Sequence, residues 1–170
     1  MFAVATAGVL AAATVPQLTT GIERARAGGA ARYLAGRLAL ARSQAVARSA
    51  NVALAFAAQG GTFTVAMYAD GNGNGVRIAD MSAGLDPLIE KAVRLSDLFP
   101  RVVLSLSDPS DTSPATSALM SFSAIGTASS RTLYLRGADG SQYAVRVLGA
   151  TGRTRVLRYV ASTRAWVEVL

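Results

Sequence analysis

The chain opens on an uncharged apolar run, MFAVATAGVLAAATVP (residues 1–16), closed by Pro16. It passes without a break into an Arg/Ala-rich stretch that keeps helical periodicity to about Asn51. At about 100° per residue, Leu34, Leu38, Ala41 and Ala45 fall on one narrow stripe, and Arg24, Arg26, Arg32, Arg37, Arg42 and Arg48 fall outside it. This pattern predicts a helix that lays one face on a domain and shows arginine elsewhere. Leu40 sits roughly opposite the stripe, open to a neighbour or to solvent. Gly28 and Gly29 are the expected weak point, each costing about 1 kcal/mol against Ala in a helix interior.

After Asn51 the period shortens to an alternation. Val52–Ala57 and Thr62–Ala69 read as strands joined by a Gln59-Gly60-Gly61 hairpin, and Asp70-Gly71-Asn72-Gly73-Asn74-Gly75 reads as a tight loop. VRIAD (76–80) reads as strand-like, while Asp86-Pro87 could open a helix and Lys91–Leu95 could equally be extended. Arg101–Leu106 predicts a strand, and Ser107–Ser117 a polar loop. Leu119–Ser123, Arg131–Arg136, Gln142–Leu148 and Arg155–Val160 predict four more strands, with Arg164–Val169 as a fifth. The expected architecture is α+β: a stalk helix over residues 1–51, then an antiparallel β domain over 52–170.

Charge and composition narrow the chemistry. The 170 residues carry a net charge of +7, with every basic residue but Lys91 an arginine. That balance suits nucleic acid, anionic lipid or an acidic protein face. The absence of Cys and His excludes thiolate nucleophiles, Cys/His zinc sites, Ser-His-Asp triads and haem ligation, and the ten acidic residues are scattered, so no enzyme is expected. No cofactor or small-molecule substrate is expected either. The apolar run falls short of the roughly 20 residues that span a bilayer, and it lacks the basic start of a signal peptide. It therefore reads as an incomplete or partial anchor, with Phe2, Val4, Val9, Leu10, Val15 and Pro16 as the candidate assembly surface.

The order of these segments resembles a known family. A proline-closed apolar helix, then LALARSQAVARSANVAL (Leu38–Leu54), a hairpin, a DGNGNG loop and MSFSAIGTASSRTLYL (Met120–Leu135) is similar to the GspH/FimT group of type IV pilin-like minor pilins and minor pseudopilins. The resemblance implies a pilin-like fold and a non-enzymatic subunit of a type II secretion pseudopilus or type IV pilus. It also implies partners among other pilins, bound through the N-terminal helix. The expected place is the inner membrane, crossed once with the β domain in the periplasm, and then the fibre. Members of the group begin with a basic leader and a GFTLIEL-like cleavage site. That motif is absent here, and the expectation is a chain that starts late.

Two local motifs suggest ligands. In the FimT branch a C-terminal GRxR motif is associated with DNA binding, and Gly152-Arg153-Thr154-Arg155 matches it. Arg153 and Arg155, two apart on a strand, project to one face, and Arg146, Arg158 and Arg164 lie on adjacent predicted strands or turns. Such a cluster would gain affinity for phosphates by counterion release. The plainer reading is a turn whose arginines guard an exposed strand edge. Asp70, Asn72 and Asn74 place oxygens at alternate positions as in a calcium loop, but the twelfth position is Met81 rather than Glu, and Asn-Gly repeats are ordinary turn chemistry. A phosphate cradle in the same loop requires a helix after it, and a strand is expected there. Trp166 and the tyrosines are expected in the core rather than on a stacking platform.

Overall fold

The computed structural model describes the backbone of residues 2–108, 115 and 117–169, with side chains from Thr20 onward, Ser117 excepted. Most of the polar loop expected at 107–117, and the side chains of Phe2, Val4, Val9, Leu10, Val15 and Pro16, lie outside the described residues.

Helix α1 spans Phe2–Arg48. Its expected stripe is its buried face: Leu34, Leu38, Ala41 and Ala45 are fully covered, joined by Ala27, Ala30 and Ala31. Leu40 and Val46 are exposed. The Gly28-Gly29 pair is not a break. A Cβ at Gly28 would stand 3.2 Å from Tyr143 Oη, and one at Gly29 would stand 3.2 Å from Phe99 Cε1. The missing side chains let the helix approach both rings, and that packing offsets the intrinsic helix penalty.

Two antiparallel sheets lie under this face. The first contains β1 (Val52–Gln59), β2 (Thr62–Ala69), β3 (Leu88–Arg94) and β5 (Ser117–Phe122), in the order β3-β2-β1-β5. The β1–β2 register ends at Gln59↔Thr62, with Gly60 and Gly61 both at positive φ in the two-residue turn. Val52, Leu54 and Phe56 alternate into the core beside Val65, Met67, Met120 and Phe122. The second sheet runs β4-β6-β7-β8-β9, formed by Val103–Ser105, Arg131–Arg136, Gln142–Leu148, Arg153–Val160 and Ala165–Glu168. Leu104, Leu133, Leu135, Tyr143, Val145, Val147 and Val156 point from it into the same core.

The middle of the chain departs from expectation. VRIAD does not extend: Ile78–Ser82 is a short helix, α2. Asp86-Pro87 opens no helix. Asp86 is buried and accepts the backbone N–H of Gly71 at 3.1 Å and of Arg77 at 2.9 Å, and the chain leaves it as strand β3. The strand ends in a second short helix, α3 (Leu95–Leu98), which seats Leu95 in the core.

Candidate nucleic-acid interface

The five arginines expected to cluster are divided by the pleat of the second sheet. Tyr143 pairs with Arg158 and packs toward the helix, so Arg158 lies on the helix-facing side of β8. Arg155 pairs directly with Arg146 on the opposite, outer face. Arg164 sits in the β8–β9 turn with φ +51°, at the far end of β8 from Arg153. At about 3.3 Å per residue the eight-residue strand separates these ends by roughly 23 Å. The expected five-residue site is therefore not one site.

The edge-guard reading holds for the start of β8. β9 pairs only with Leu157–Val160, so the Arg153–Arg155 end has no strand on that side among the described residues, and Arg155 forms an ion pair with Glu168 of β9 at 3.3 Å. Arg146 reaches Thr132 Oγ1 at 3.4 Å.

Arg153 keeps the face parity of Arg155 but stands at the very start of β8. It borders a groove of about 770 Å³ between β8 and α1, with Arg32 and Arg42 on the helix side. Ala35, Gly36, Ala39, Ser43, Val46 and Ala47, mostly small, form its helix wall, and Gly152 and Thr154 complete the sheet wall. Arg42 donates from Nε to the Gly126 carbonyl at 3.1 Å, which leaves its terminal nitrogens beside the groove. Arg32 and Arg42 were legible only as a solvated helix face. Their spacing around a small-residue stripe is the signal that could have assigned them.

Tyr143 is in the core as expected and Tyr33 packs against that core, but three other aromatic side chains depart from the expectation. Tyr134, Tyr159 and Trp166 meet on the outer face of the second sheet, with Trp166 centred 6.0 Å from Tyr134 and 5.4 Å from Tyr159. β9 is exposed along its length, and its Trp lies over the outer face of the sheet. A cavity of about 200 Å³ there is lined by Val103, Ser105, Tyr134, Arg136, Gln142 and Trp166, among others.

The Asp70–Gly75 loop is closed by its own carboxylate. Asp70 accepts the backbone N–H groups of Asn72, Gly73 and Gly75 at 3.3, 2.7 and 2.8 Å, and the Asn51 side-chain amide at 2.8 Å. Burial pushes its carboxyl up, but these four bonds outweigh burial and hold it below the usual carboxylate range. The amides that a phosphate would need are thus occupied, although a helix does follow the loop. Among the described residues no group of three or more acidic side chains is placed to hold a metal ion. Asn72 and Asn74 serve the turn: Asn72 Oδ1 accepts from the Asn74 N–H at 3.1 Å.

A helix laid across two antiparallel sheets, with this loop and strand order, matches known proteins. The sequence profile of the family described as type II transport protein GspH matches residues 30–152. The chain belongs to the GspH family. The match takes in the buried half of α1 and ends at Gly152, so Arg153, Arg155, Arg158 and Arg164 lie outside the matched residues. A solved structure with the same fold is that of the minor pseudopilin EpsH from the type 2 secretion system of Vibrio cholerae. The two share 13% identity and a TM-score of 0.52, over 78% of this chain and 97% of that one. No curated protein sequence matches the chain significantly.

Proposed function

We propose that this GspH-family chain is a minor pseudopilin: a low-abundance, non-catalytic subunit of a type II secretion pseudopilus that assembles with other pseudopilins through α1. The observation that carries this reading is the family match over residues 30–152. The helix supports it, since it buries one face on its own domain while Leu40 stays exposed away from that face. Before assembly the chain is anchored in the inner membrane by its N-terminal segment, with the β domain in the periplasm. Among the described residues no helix is long and apolar enough to cross a membrane, so this anchoring rests on the apolar sequence of residues 1–16 and on the family. Deleting the gene should trap secreted enzymes in the periplasm, and the wild-type copy should restore their release. Normal secretion in the deletion strain would refute the reading. Because the chain has no cysteine, single cysteines at Leu40 or Val46 can map its neighbours by crosslinking.

A second reading, DNA binding at the cell surface, is favoured by one observation: Arg153 of the GRxR motif shares a groove with Arg32 and Arg42. Three guanidinium groups along a groove floored by small residues would let a phosphate backbone approach closely. Titration with duplex DNA at several salt concentrations tests it. Arg153→Ala and Arg32→Ala should each reduce the salt slope by about one unit. A natural-transformation assay on the deletion strain separates this role from secretion.

A further inference from the structure

We infer that the end of the β domain nearest the N-terminal helix segment is a docking face for an anionic bilayer surface, with Trp166 at the interface. The inference rests on the membrane-anchored state proposed above.

No charged residue precedes Glu23, so the first 22 positions are uncharged and the first charges, Glu23 and Arg24, follow at once. The structure gathers distant arginines to that level of the helix. Arg24 pairs with Asp139 of the β6–β7 turn at 3.6 Å. Arg101 reaches Glu23 at 3.1 Å, and Arg26 reaches the same carboxylate at 2.9 Å. Arg136 and Gln142 are paired at the mouth of the β6–β7 turn. Arg158, with Val160 and Ala161, lines one cavity with Arg24 and Asp139, which brings the β8–β9 turn and its Arg164 to the same end.

Six arginines thus surround one end of the domain, drawn from α1, two turns and two strands. The carboxylates that touch them, Glu23 and Asp139, are each buried and already paired. Arg136, Arg158 and Arg164 have no carboxylate partner among the described residues, and all three are exposed. Apolar side chains are open to solvent as well: Ile22 on α1, and Val103 and Trp166, which line one cavity with Arg136, are 52, 63 and 36% exposed. Trp and Tyr beside arginine is the composition of a headgroup interface. Each guanidinium near an anionic surface contributes about 1 kcal/mol within a Debye length. A protein partner would match the charge equally. The bilayer is favoured because this face lies where the uncharged helix segment begins.

The test uses the lone tryptophan of the chain. Full-length protein is reconstituted with vesicles of zwitterionic lipid, or of zwitterionic lipid mixed with phosphatidylglycerol. Flotation reports anchoring, while Trp166 emission and its quenching by brominated lipid report docking. The expected result is flotation with both vesicles, with a blue shift and quenching only on the anionic ones, reversed by high salt. Replacing Arg136, Arg158 and Arg164 together by Gln should weaken docking roughly a hundredfold, three contributions of about 1 kcal/mol each, while leaving flotation and the melting temperature unchanged. Flotation with no lipid-dependent change in Trp166 would overturn the docking face alone. Failure to float with either vesicle would overturn the anchored state and the inference with it. An equal shift on duplex DNA, lost in the same triple variant, would reassign the face to nucleic acid.

Discussion

Gly152 and Gly126 meet backbone to backbone: a Cβ on Gly152 would lie 2.3 Å from the Gly126 carbonyl oxygen, the same oxygen that accepts from Arg42. Gly152 also holds φ +61°, a conformation unfavourable for a side chain. The glycine of the GRxR motif is therefore required by the fold, whatever the arginines bind. Gly152→Ala should cost about 2 kcal/mol and lower the melting temperature by about 4–8 °C. Arg153→Ala, at an exposed position, should change stability by no more than about 0.5 kcal/mol. A scanning melt of the two variants checks this, and equal losses would refute it.

The helix glycines differ from one another in the same way. Nothing lies within 4 Å of a Cβ built at Gly36, whereas Gly28 faces the Tyr143 ring. Gly36→Ala should stabilise the domain by about 1 kcal/mol through helix propensity alone. Gly28→Leu should destabilise it by about 1–3 kcal/mol, because the added side chain meets the buried Tyr143 side chain, already 3.2 Å from a Cβ. Denaturant unfolding of both proteins measures the difference.

Acid should loosen two turns before the rest of the domain. Asp139 is lowered like Asp70: burial raises it, and the Ser141 hydroxyl, backbone N–H bonds and the Arg24 charge together outweigh burial. A depressed folded-state pKa means stabilisation that is complete above the unfolded value near 3.9 and is lost as pH falls through the folded value. Amide protection factors in 70–75 and 137–141, taken relative to the intrinsic exchange rate at each pH, should fall as pH drops below about 4. Asp70→Asn should remove the pH response at 70–75 and leave that at 137–141 intact.

The two faces of α1 should answer differently to truncation. Leu38 is fully buried and Leu40 is exposed. Leu38→Ala should cost about 2–5 kcal/mol in the isolated protein. Leu40→Ala should leave the isolated protein's stability nearly unchanged and, under the pseudopilin reading, weaken secretion. Unfolding curves and a secretion assay on the same variants separate core from interface.

The amino-acid order alone determined the long helix, its buried stripe, the Gly60-Gly61 hairpin and the strand succession to Val169. Each is written in local periodicity or turn chemistry, which a neighbouring fold element does not need to complete. It also carried the family through LALARSQAVARSANVAL and MSFSAIGTASSRTLYL. Residues 76–90 were not legible, because the helix α2 and the start of β3 are set by Asp86, whose carboxylate holds amides at Gly71 and Arg77 from across a loop. At Lys91–Arg94 the extended alternative was the right one. The grouping of arginines was beyond sequence reading for a similar reason. Spacing along a strand fixes which face a side chain takes, yet only pairing and packing bring Arg153 to the groove with Arg32 and Arg42, tie Arg155 to Glu168, and send Arg158 to the end occupied by Arg24. Long-range charge placement is a property of register and layer packing, and these exist only once the chain has folded.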